Sequence, residues 1–100
     1  MLHALIYLDP DDVIDGQPLA DHVLRFLKQR GIRNAAIFRS VRGFGARHHL
    51  LDSPPPIGTS SEQPVMITMI DTPEKVRSAL MYVKTVIGDG AIITHPVEAW

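Results

Sequence analysis

The chain has 100 residues, a formal net charge of −1 and no cysteine. That length makes one domain able to bury roughly 65% of its unfolded surface, so a hydrophobic core can hold it without staples, and disulfides, thiol catalysis and cysteine-ligated metals are excluded. The basic residues are not clustered, so the electrostatic footprint of a duplex-binding protein is missing and no nucleic-acid partner is expected.

Leu2-His3-Ala4-Leu5-Ile6-Tyr7-Leu8 is densely apolar and is closed by Asp9-Pro10-Asp11-Asp12, which predicts a largely buried first strand and a turn. The run is too short for a membrane span or a secretory core, so no membrane insertion and a cytoplasmic location are expected. From Pro18 the period changes. Leu19, Val23 and Leu27 recur with Ala20 and Leu24 beside them, predicting a first helix from about Pro18 to Arg30, with Pro18 in its first turn and Gly31 as its left-handed stop. Ala35–Val41 has the length and residues of a second strand. The stretch 43–63 contains Ser53-Pro54-Pro55-Pro56 and Gly58-Thr59-Ser60-Ser61, which favour extended or mobile backbone over packed structure and predict a long excursion, functional or disordered, within the single domain 1–100.

Val65–Ile70 reads as a third strand. Asp71-Thr72-Pro73-Glu74 then supplies a hydroxyl cap, a proline at the first helical position and an acid in the first turn of a second helix. Val76, Ala79, Leu80, Val83 and Ile87 form its apolar stripe, Gly88 ends it, and Ala91–Val97 makes the last strand. The order βαββαβ predicts an α+β ferredoxin-like fold: an antiparallel sheet, two helices on one face, and the long excursion between the second and third strands.

Two glycine clusters carry the chemistry. Val41-Arg42-Gly43-Phe44-Gly45-Ala46-Arg47-His48 follows a strand, and Ile87-Gly88-Asp89-Gly90 follows a helix. Glycine permits positive φ and close backbone approach, and successive N–H groups in such turns form nests for phosphate or carboxylate oxygens. Arg39, Arg42 and Arg47 could grip such an anion through two N–H groups each. The plainer readings are that Gly43 and Gly45 let the strand leave the sheet, and that Gly88-Asp89-Gly90 is a helix cap with a tight turn. His48 and His49 are weak metal candidates, because neighbours on an extended segment point to opposite sides and no compact third ligand stands near them. His3 and His95 read as structural or surface residues.

On these motifs the chain resembles the PII signalling proteins across nearly its whole length. Gly31-Ile32-Arg33-Asn34-Ala35-Ala36-Ile37 with Val41-Arg42-Gly43-Phe44-Gly45 resembles the passage that opens that family's T-loop, and Ile87-Gly88-Asp89-Gly90 resembles its B-loop. Pro64-Val65 before a strand ending in Asp71 is similar to the uncharacterised bacterial PII-like branch. The resemblance implies a homotrimer with intersubunit clefts for adenine nucleotides. In these clefts Gly43 and Gly45 would form the T-loop base and Gly88, Asp89 and Gly90 the B-loop; Arg42 and Arg47 join them as ligand-binding candidates on their charge, not on the resemblance. The 43–63 segment would act as a mobile T-loop for a protein partner such as a membrane transporter or an enzyme. The chain departs from nucleotide-binding relatives at Ala91, where they carry lysine, and at Arg47, where they carry a metal-supporting glutamine, and it stops at Trp100 before their basic C-terminal segment.

A helix C-terminus carries partial negative charge, so losing that lysine weakens the phosphate site. The expected ligand is therefore a small anion, such as a nucleotide with few phosphates, with no required cofactor and no catalytic residue. Two other readings stay open: a divalent-cation-binding trimer like the CutA relatives of PII, using His48, His49 or the Asp9–Asp12 cluster, and a small phosphate-handling enzyme on the same fold. Against the enzyme, Asp9, Asp11 and Asp12 occupy the place where an acylphosphatase-like phosphate loop should follow the first strand.

Overall fold

In the computed structural model, which describes residues 1–43, 64–88 and 90–100, strands of period two carry helices of period 3.6 on one side. Along β1 (Leu2–Leu8), Leu2, Ala4, Ile6 and Leu8 are buried while His3, Leu5 and Tyr7 face the other way. After β1 comes a ribbon absent from the sequence reading, β2 (Val13–Ile14) and β3 (Gln17–Pro18). Its turn residues Asp15 and Gly16 both have positive φ, 49° and 77°, which is the backbone a two-residue hairpin requires. Pro18 consequently belongs to the ribbon, paired with Val13, and stands at the N-cap of α1 (Leu19–Gln29) rather than inside its first turn.

Helix α1 stops as expected. Gly31 has φ 76°, its N–H donates to the Lys28 carbonyl, and the Ile32 N–H donates to the Leu27 carbonyl, the paired bonds of a Schellman ending. Strand β4 (Asn34–Arg39) ends two residues earlier than expected: the Ser40 N–H still donates in register to the Pro64 carbonyl, but proline has no N–H to return the bond and the ladder stops there. Strand β5 (Val65–Asp71) runs one residue further, through Asp71, into α2 (Pro73–Val86). Pro73 opens α2, and the Thr72 side chain accepts from the Lys75 N–H. The last strand, β6 (Ala91–Pro96), ends one residue earlier than expected.

The four long strands form one antiparallel sheet in the order β4-β5-β1-β6, the ferredoxin-like arrangement. Buried residues of β1 and β5 meet Leu19, Ala20, Val23 and Leu27 of α1 and Val76, Ala79 and Val83 of α2 in a single core. Leu80, assigned to the same stripe by periodicity, lies at its margin. On the outer side the helices are tied together, with His22 Nε2 2.8 Å from the Tyr82 hydroxyl and the Phe26 and Tyr82 rings 4.4 Å apart.

Asp71 pins the far end of the sheet. Its carboxylate is buried and accepts from the backbone N–H groups of Thr72 (2.7 Å) and Arg33 (2.8 Å). Lys75 Nζ, 3.9 Å from the same carboxylate, donates to the Gly31 carbonyl at 3.1 Å. The turn after α1 is thereby fastened to the start of α2.

Candidate functional site

The neck of the 43–63 excursion is built by β4 and β5. Arg39 pairs with Val65, and one residue on, both the N–H and the hydroxyl of Ser40 donate to the Pro64 carbonyl at 3.3 and 2.9 Å. A Cβ on Gly43 would lie 3.1 Å from Pro64 Cδ, so the glycine lets the outgoing chain pass close to the returning one. Arg39 and Arg42 are exposed beside this neck. Gly45, Arg47, His48 and His49 lie outside the described residues.

The second half forms where α2 meets β6. Ile87 caps the helix, Gly88 has φ 57°, and the Gly90 N–H donates to the Ile87 carbonyl at 3.0 Å. A Cβ on Gly90 would stand 2.6 Å from the Tyr7 carbonyl oxygen, closer than real Cβ atoms come. Gly88 is thus required by its φ and Gly90 by the approach of a neighbouring backbone, which gives this turn a structural reason for its composition whatever it binds. Asp89 lies outside the described residues.

Strand register shows how the two halves relate. Phe38, Met66, Tyr7 and Ala91 form one row across the sheet, so the Gly43 neck and the Gly88 to Gly90 turn project from the same sheet end. They leave it at opposite edges, about 14 Å apart across three strand spacings. Among the described residues, one chain thus places the two glycine turns at one end of the sheet and on opposite edges.

Between the halves lies the sheet face away from the helices. It carries Leu5, Tyr7, Phe38, Met66 and Ile93, with Phe38 54% and Ile93 51% exposed. Such a contiguous apolar face on a small protein marks an interaction surface. The acids that follow β1 are organised as a turn: Asp9 Oδ1 accepts from the Asp11 N–H at 2.9 Å, and the Asp9 carbonyl accepts from the Asp12 N–H at 3.2 Å. Among the described residues no three His, Asp or Glu side chains converge on a common point, and no helix is long and apolar enough to cross a membrane.

Asp71, a buried carboxylate with a displaced ionisation, lies at the opposite end of the sheet. The Thr72 and Arg33 N–H bonds hold its carboxyl below the ordinary aspartate value, helped by the charges of Lys75 and Arg33 and opposed by burial. Its partners are backbone groups of adjoining elements, which makes its work structural.

Comparison with known proteins agrees with this architecture. The sequence model of the DUF190 family, described as "Uncharacterized ACR", matches residues 2–99. A UPF0166 protein of Aquifex aeolicus is 30% identical over 83 residues, 79% of this chain and 74% of the relative. Another, from Methanocaldococcus jannaschii, is 27% identical over 88 residues, covering 88% of this chain and 80% of the relative. Among solved structures, a nitrogen regulatory PII-like protein from Thiomonas intermedia K12, CPII, bound to ADP, AMP and bicarbonate, superposes with a TM-score of 0.62 at 16% identity, over 94% of this chain and 82% of its own. The chain belongs to the DUF190 family of uncharacterised proteins and has the PII-like ferredoxin fold.

Proposed function

We propose that the protein is a PII-like regulator acting in the cytoplasm as a homotrimer. Its clefts, each built from the Gly43 neck of one subunit and the Gly88 to Gly90 turn of the next, bind a small anionic ligand. An adenine nucleotide with few phosphates is the ligand class that fits best, held by Arg42, Arg47 and the backbone N–H groups of Gly43, Gly45, Gly88 and Asp89, while Gly90, whose own N–H is taken by the Ile87 carbonyl, shapes the turn. Ligand binding then orders part of the 43–63 segment for a protein partner such as a transporter or an enzyme.

The carrying observation is the placement of two glycine turns at one end of the sheet but on opposite edges, flanking an apolar face. A second copy seated on that face supplies what one chain leaves open. The fold shared with CPII, whose structure holds ADP, AMP and bicarbonate, supports the ligand class. Ala91 and the partial negative charge at the end of α2 argue against a dense phosphate load at the turn, which favours AMP or ADP over ATP.

A thermal-shift panel of AMP, ADP, ATP and bicarbonate tests this reading, since a ligand at 100 times its Kd stabilises by about 2.7 kcal/mol. A shift with AMP or ADP that Arg42→Ala reduces is the expected result. A flat response to the whole panel would overturn the nucleotide assignment.

A further inference from the structure

His3 and His95 are direct cross-strand partners on β1 and β6, on the sheet face away from the helices. His3 Nδ1 lies 2.9 Å from His95 Nε2, with the ring centroids 4.8 Å apart and the planes inclined at 58°. On the other side of the ring, His3 Nε2 is 2.5 Å from the Thr68 hydroxyl of β5. Their row continues through Ile70 to Asn34, and the next row holds Ala36, Thr68, Leu5 and Ile93, so neither row carries a lysine or arginine to repel a cation.

We propose that His3 and His95 form a bidentate site for a divalent transition-metal ion. Metal–imidazole bonds are about 2.0–2.1 Å, so two nitrogens 2.9 Å apart subtend about 90° at a shared ion. That is the angle between adjacent corners of a square or an octahedron, the geometry of Ni2+ and Cu2+. Thr68 provides the support such a ligand requires. With its proton on Nε2, His3 donates to the Thr68 hydroxyl and keeps the Nδ1 lone pair toward His95, the outer-shell bond that fixes tautomer and ring orientation in metal sites. His95, exposed on an edge strand, turns its Nε2 lone pair to the same ion by rotation about χ2 and carries its proton on Nδ1. The remaining coordination positions open toward water or toward a subunit placed on this face.

Calorimetric titration of the full, untagged chain with Ni2+ tests the site. The expected result is a binding step weakened about tenfold or more by His3→Gln and by His95→Gln, and weakened by Thr68→Val through loss of the outer-shell bond. His22→Gln, whose ring is engaged with Tyr82, and the double substitution His48→Gln/His49→Gln leave that step in place. A continuous-wave EPR spectrum of the Cu2+-loaded protein should show two coordinating nitrogens, reduced to one in either single variant. Absence of Ni2+ binding by the unmodified chain, or Ni2+ binding by His3→Gln and His95→Gln at unchanged affinity, overturns the proposal. All three sheet positions lie outside the core, so circular dichroism should show each variant folded.

Discussion

Gly90 shows how much a single position can decide. A methyl group there meets the Tyr7 carbonyl oxygen at 2.6 Å and Ile87 at 3.1 Å, and backbone cannot yield as a side chain does. Gly90→Ala should therefore destabilise the fold by about 1–3 kcal/mol, the usual range for overpacking, read as a lower midpoint in urea at unchanged slope. Asp71 supplies a pH test. Its carboxyl is held below the ordinary aspartate value, so the stability it contributes is present above about pH 4, near the unfolded value, and is lost as pH falls through the folded one. Thermal unfolding should show the wild type weakening on acidification below about pH 4, while Asp71→Asn is already weaker at neutral pH and loses less on acidification.

At the scale of elements, the cap at Thr72 is the cleanest link from sequence to structure. Thr72 with Pro73 and Glu74 reads as a helix start, and the hydroxyl does accept from the Lys75 N–H, at a long 3.4 Å. Thr72→Ala should cost about 0.5–1 kcal/mol, the lower part of the capping range, measured by denaturant unfolding. β1, β5 and the two helices are legible because each buries one periodic face, whereas the edge strands β4 and β6, which hold no fully buried residue, are legible from their length and β-forming composition. The β2–β3 ribbon was not, because it has only two residues per strand and buries too little to show a period, although Asp15-Gly16 is a hairpin signal. The end of β4 is not legible either: Val41 is β-branched and apolar, yet it is 83% exposed and lies past the last ladder bond, from Ser40 to Pro64, a proline that returns none. At the site, sequence located the two glycine turns but not why Gly90 must be glycine, since the Tyr7 carbonyl that crowds it lies 83 residues away along the chain. His3 and His95 read singly as structural or surface residues, and their pairing is not legible in sequence because register alone sets them opposite each other.

For the molecule as a whole, the apolar face of Leu5, Tyr7, Phe38, Met66 and Ile93 and the two glycine turns at opposite edges of the sheet lead to one expectation. Replacing Phe38 with Asp puts a charge on that face without touching the core, and sedimentation should show the assembly shifting to monomer while circular dichroism shows the fold retained. The same variant gives the most direct test of a ligand site completed between subunits: calorimetric titration of AMP and ADP into wild-type protein and into Phe38→Asp at equal chain concentration. A cleft shared by two subunits predicts saturable heat with the assembled wild type and none with the folded monomer. Equal binding by both, or no nucleotide binding by the assembled protein, would contradict it.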